Sequence, residues 1–94
     1  MLIEPLSPSD AKRLIQEIVS NGNVTFSSHA QREMDKDDLS ATDVVNMLRG
    51  GVLEPAEFEN GSWRYRVRTA RMCVVVAFRS EAEIRVVTAW RLNP

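Results

Sequence analysis

Ninety-four residues, 44% hydrophobic and 27% charged, support one globular domain with a modest core, and exclude both a multi-domain chain and a disordered one. The single cysteine, Cys73, excludes an internal disulfide and any multi-cysteine metal site, and no apolar run approaches the length of a membrane span. A cytoplasmic protein with no membrane contact is the expectation. The net charge of −1 hides a division. Residues 1–60 carry five Lys or Arg against eleven Asp or Glu, whereas residues 61–94 carry seven Arg and no Lys against Glu81 and Glu83. Arginine in place of lysine points to bidentate grip on phosphate or carboxylate, so a basic surface is expected on the second half.

Met1 to Ser7 reads as a loose lead-in. Ser7 or Ser9 can cap a helix, Pro8 suits its first turn, and Ala11, Leu14, Ile15, Ile18 and Val19 recur at amphipathic spacing. Asn21-Gly22 stops that helix, with glycine expected in the left-handed cap conformation. Asn23 to Phe26 reads as a short strand leading into Phe-Ser-Ser-His-Ala-Gln-Arg-Glu-Met, which holds the chain's one histidine and a second helix start. Ser28 with Gln31 matches a capping box. That register sets His29 at the first helical position, turns Ala30 and Met34 inward, and displays His29, Arg32, Glu33 and Lys36.

Asp35, Asp37 and Asp38 lack calcium-loop spacing and read as a solvated connector. Ser40 with Asp43 resembles a capping box, and Leu39 with Val44 is placed as a hydrophobic staple. Ala41, Val44, Val45 and Leu48 form the stripe of this third helix, which Gly50-Gly51 ends. The pattern then changes from period 3.6 to period 2. Val52 to Glu59 is a strand interrupted by Pro55, and Asn60-Gly61 is a two-residue hairpin signal. Trp63, Tyr65 and Val67 alternate with Arg64, Arg66 and Arg68, giving one strand an apolar face and an arginine face. Met72 to Phe78 reads as a central strand with Cys73 as a buried thiol. Ile84 to Trp90 makes the last strand, with Ile84, Val86, Thr88 and Trp90 on one side. The whole is α+β: three N-terminal helices packed on one face of a mostly antiparallel sheet.

Three arginines about 7 Å apart on one strand repel unless anions lie near. A phosphate backbone, an acidic partner, or Glu57 and Glu59 in a cross-strand ladder would supply the charge. The arginine face by itself fits a non-catalytic module that binds protein or nucleic acid.

Ser-x-His-Ala-x-x-x-Met opening a short helix, a Leu-Ser-x-x-Asp-Val helix ending in Gly-Gly, Trp-Arg-Tyr-Arg-Val, and a last strand Val-Val-Thr-Ala-Trp resemble a small bacterial family. That family is catalogued as a domain of unknown function and is often encoded beside small antitoxin-like proteins. It is similar to the BrnT toxins and, more remotely, to the RelE-type toxins of the barnase/EndoU/colicin/RelE nuclease fold. The resemblance covers Phe26 to Arg91, leaving residues 1–22 as an accessory helix before a toxin-like core at 23–91. It implies the toxin of a type II toxin–antitoxin system, a metal-independent endoribonuclease (mRNA interferase). His29, Arg64, Arg66 and Thr88 would act in catalysis, and Arg32, Arg68, Tyr65 and Arg91 would contact RNA. The implied partners are an RNA substrate and a small antitoxin protein, in a homodimer or a toxin–antitoxin hetero-oligomer, with no cofactor and no metal. The sequence departs from the family's pattern at Glu33, where a second basic residue is common.

Cleavage of RNA by its 2′-hydroxyl needs a base, an acid for the leaving oxygen, and positive charge for the crowded phosphorane. One histidine excludes a two-histidine mechanism, so Tyr65, Glu33 or an arginine would supply the proton.

Overall fold

The computed structural model describes residues 1–92. Helix α1, Pro8–Asn21, starts where the Ser7 hydroxyl accepts the Asp10 N–H at 3.2 Å, with Pro8 in the first turn, and it buries Ala11, Ile15 and Ile18. Its end corrects one expectation. Gly22 has φ −114°, outside the left-handed region. Glycine is needed there for close approach, because a Cβ would collide with the Ala82 carbonyl oxygen. That carbonyl accepts the Asn23 N–H at 2.9 Å, which aligns strand β1, Asn23–Phe26.

Helix α2 spans Ser28–Lys36 and α3 spans Ala41–Gly50. The capping box of α3 forms as expected: Ser40 Oγ accepts the Asp43 N–H at 3.1 Å, and the Ser40 N–H donates to Asp43 Oδ2 at 2.9 Å. Those bonds, the backbone N–H foremost, hold the Asp43 carboxyl below its ordinary range. Leu39 and Val44 are both buried, as a staple requires.

The remaining strands are β2 (Val52–Leu53), β3 (Glu57–Glu59), β4 (Ser62–Arg68), β5 (Met72–Ser80) and β6 (Glu83–Arg91). Pro55 falls in the break between β2 and β3, as its missing N–H demands. Asn60 and Gly61, with φ of 48° and 81°, turn β3 into β4. The sheet order is β1-β6-β5-β4-β2, with β3 paired to β4, and β1 runs parallel to β6 while the other pairs are antiparallel. The fold is α+β, but the helices are not an unbroken N-terminal block, since β1 lies between α1 and α2.

The segment before α1 is docked, where the sequence implied a loose lead-in. Leu2 and Leu6 pack at the edge of the core, and the N-terminal ammonium sits 2.7 Å from Glu81. Ala11, Ile15 and Ile18 of α1 belong to the same cluster as Tyr65, Val67, Val74, Val76, Ile84 and Val86. The first helix therefore completes the core as well as preceding it.

Two β-bulges set which side chains face away from the helices. Val75 pairs with Thr88 and Val76 with Val86, so Val87 is an extra residue in β6; Phe78 pairs with Ile84 and Ser80 with Glu83, so Arg79 is extra in β5. The bulge at Val87 reverses the alternation expected for the last strand. Ile84, Val86 and Ala89 enter the core, while Thr88 and Trp90 share the opposite face with Val75 and Cys73, their cross-strand partners.

Candidate nucleic-acid interface

Strand β1 delivers Ser27 to the start of α2. The Ser27 hydroxyl accepts the Ala30 N–H at 2.9 Å and donates to the Val87 carbonyl at 2.9 Å, so one side chain caps the helix and ties it to the bulge of β6. The cap is one residue earlier than the Ser28 that the sequence indicated, and His29 is the second helical residue. His29 is exposed and, among the described residues, makes no hydrogen bond or ion pair. Arg32, three residues on and on the same side, is exposed too. Glu33 is partly exposed and pairs with Lys36 at 3.0 Å.

On β4 the two faces separate as the alternation requires. Tyr65 and Val67 are fully buried, and Arg64, Arg66 and Arg68 alternate with them on the face the helices leave uncovered. The three arginines are not equivalent. Glu54 lies 3.8 Å from Arg66 and 3.3 Å from Arg68 and is the carboxylate in ion-pair contact with them, while Glu57, which the sequence offered, stands opposite Arg64 in the β3–β4 register without an ion pair. Glu54 is held there because its N–H donates to the Arg66 carbonyl at 3.0 Å. Arg66 Nε is buried with no hydrogen-bond partner among the described residues. Arg64 instead donates from Nε to Ser62 Oγ at 3.0 Å. Thr88 stands in the same cross-strand row as Val75 and Arg66, and Trp90 in the row of Cys73 and Arg68. Burial pushes the Cys73 thiol up in pKa, against the pull of Arg66 and Arg68, which keeps it protonated and inert.

Two residues expected at the RNA surface are placed elsewhere. Tyr65 lies under the helices, its O–H donating to Glu4 Oε2 at 2.9 Å and accepting the Leu6 N–H at 3.0 Å. Fully buried with its hydroxyl engaged on both sides, it is out of reach of RNA, and burial pushes its pKa up to about 12. Arg91 is committed to the far end of α2: its Nε and Nη2 donate to the Asp37 and Asp38 carbonyls at 2.8 and 3.1 Å, and its N–H to Asp37 Oδ2 at 2.8 Å. A nine-residue helix is about 13 Å long, which separates Arg91 from His29.

The uncovered face opens into a groove of about 460 Å³ lined by Ser27, Ser62, Arg64, Ala77, Phe78, Arg79, Arg85 and Val87. Arg79 and Arg85 are exposed and, like Arg64, face no carboxylate within ion-pairing distance among the described residues. Neither stood out in the sequence. Arg85 was legible in principle, since it alternates with the inward Ile84 and Val86. Arg79 and Val87 were not, because both reach the groove through bulges.

A family model described as Domain of unknown function (DUF4258) matches residues 26–91. The chain belongs to that family. No curated protein and no solved structure matches it. The DUF4258 region contains His29, every residue of the groove and the Glu54 pair, and it omits the lead-in and α1. Among the described residues no helix is long and apolar enough to cross a membrane.

Proposed function

We propose that this chain is the toxin of a bacterial type II toxin–antitoxin pair, a metal-independent endoribonuclease that cleaves mRNA by attack of the 2′-hydroxyl. One observation carries the reading: an exposed, unengaged His29 follows by two residues the Ser27 that lines a groove whose arginines lack ion-pair partners among the described residues. His29 would take the 2′-hydroxyl proton. Arg64, oriented by its bond to Ser62, would neutralise the phosphorane, with Arg79 and Arg85 beside it on the same phosphate. Arg32, exposed on the same side of α2 as His29, adds positive charge beside it. Arg66 and Thr88 stand further along the same face, where Glu54 already engages the arginine. The leaving oxygen takes its proton from a group other than Tyr65.

The overall acidic balance does not oppose RNA binding, because binding depends on the local field and the groove is locally cationic. The same field would steer a small acidic antitoxin onto the groove and His29 together, with apolar anchors slowing its release. The test is inducible expression with growth and RNA integrity followed over time, for the wild type and His29→Gln. RNA that is bound and left intact by the wild type would move the weight to a non-catalytic binding module.

A further inference from the structure

We propose that the groove seats one nucleotide of a single-stranded RNA, its phosphate on Arg64, Arg79 and Arg85 and its sugar and base against Ala77 and Val87. The choice of ligand rests on the nuclease reading, which this proposal deepens. Charge comes first. Three guanidinium groups around one recess repel each other, and no carboxylate among the described residues lies within ion-pairing distance of them, although Glu57 stands opposite Arg64 across β3 and β4, so the groove favours an anion. Ser62 adds a neutral donor. Its oxygen accepts from Arg64 Nε, which leaves its own proton to donate to a phosphate oxygen. The Ser27 hydroxyl, by contrast, is already used as both donor and acceptor.

Size then leaves room for more than a bare phosphate. The recess of about 460 Å³ has the volume of about fifteen liquid waters and falls within the usual range of small-ligand sites. Its lining is partly apolar: Ala77 is 8% exposed and Val87 half-buried, between the two bulges that bring Arg79 and Val87 to the groove. An apolar floor beside cationic walls fits a sugar and base with their phosphate. A duplex keeps its bases stacked inward and could offer only its backbone, so an unpaired strand is the fitting form. The neighbouring recess on the other side of Arg64 makes the contrast. It measures about 30 Å³, room for a water, and Glu57 and Glu59 line it with Arg66.

The test titrates adenosine 5′-monophosphate, adenosine and inorganic phosphate into the isotope-labelled full chain, read by amide chemical shifts. The nucleotide should bind at least about tenfold tighter than either fragment and shift Ser62, Ala77 and Val87. Arg79→Gln and Arg85→Gln, at exposed positions without ion pairs, should keep the thermal midpoint and weaken nucleotide binding several-fold. Each should also lower the salt slope for single-stranded RNA by about 0.7. Nucleotide and phosphate binding alike, or duplex and single strand alike, would overturn the seat, as would no binding by any probe. The nuclease reading fails separately. A nucleotide bound in the groove without RNA cleavage keeps the seat and removes the nuclease. Cleavage lost in His29→Gln but unchanged in Arg79→Gln and Arg85→Gln keeps the nuclease and removes the seat.

Discussion

At one end of the uncovered sheet face Arg66 and Arg68 share the carboxylate of Glu54; at the other Arg64, Arg79 and Arg85 surround a groove that no carboxylate reaches among the described residues. The residue type is the same and the electrostatic result is opposite. A half-exposed ion pair contributes little to stability, about 0–1 kcal/mol, but it removes the local field that would draw an anion. Counting arginines along β4 therefore overstates the free charge at one end, and the three arginines around the groove come from three different strands.

The largest effect is expected at the groove end. His29→Gln should lower RNA cleavage by about 10²- to 10⁴-fold, the usual contribution of a positioned general base. The thermal midpoint should not move, since His29 is exposed and makes no hydrogen bond among the described residues. Cleavage assays on refolding-competent protein decide it. Undiminished cleavage per folded molecule would leave the groove without its base.

Next comes the covered side of β4, which both ends rest on. Tyr65→Ala should destabilise by about 3–5 kcal/mol, as loss of a buried aromatic does, and should flatten the contrast by loosening the whole sheet. Tyr65→Phe keeps the ring's edge-on contact with Phe78 at 5.0 Å but leaves the Leu6 N–H and Glu4 unpaired, for about 1–3 kcal/mol. The folded Tyr65 pKa is raised from 10.0 to about 12. Its stabilisation is therefore complete below pH 10.0 and lost as pH rises toward about 12. Denaturation curves across that window should show an alkaline loss in the wild type that Tyr65→Phe lacks.

These two ends differ in how far the sequence revealed them. The starts of α1 and α3, the Ser40–Asp43 box, the break at Pro55, the Asn60-Gly61 turn and the two faces of β4 are readable because each depends on residues within a few positions. The cap of α2 was missed by one residue because Ser27 and Ser28 are chemically equal in sequence. What separates them is the Val87 carbonyl, sixty residues away, which Ser27 also reaches. The groove was obscured for a related reason. A bulge adds one residue without altering composition, so Val87 and Arg79 broke the alternation silently and moved Thr88 and Trp90 to the other face. Glu54 could not be recognised as the clamp because its place depends on how β2 pairs with β4. His29 and Arg64 are legible as candidates from the one histidine and the arginine alternation, whereas Arg79, Arg85 and Ser62 come together only in the sheet.

A smaller effect should come from making the paired end resemble the groove. Glu54→Gln removes the shared carboxylate and leaves the backbone bond to Arg66 in place. Binding of single-stranded RNA should tighten at low salt, and its salt slope should steepen by about 0.7 for each arginine released to phosphate. Stability should change by about 1 kcal/mol or less. An unchanged slope would mean that Arg66 and Arg68 are unavailable to anions for a reason other than Glu54.

The smallest expected effect is the most discriminating. Arg68→Gln in the wild-type background should leave the salt slope for RNA unchanged, although Arg68 is about half exposed and sits on the arginine face. The reason is that its charge is spent on Glu54, so removing it deletes a contact within the protein, and Arg66 stays within reach of the same carboxylate. In the Glu54→Gln background the same substitution should lower the slope by about 0.7, because Arg68 is then free to meet a phosphate. The two measurements form a double-mutant cycle whose non-additivity is the clamp itself. If Arg68→Gln weakens RNA binding equally in both backgrounds, the carboxylate does not shield it. The whole arginine row, from Arg64 to Arg68, would then act as one binding track.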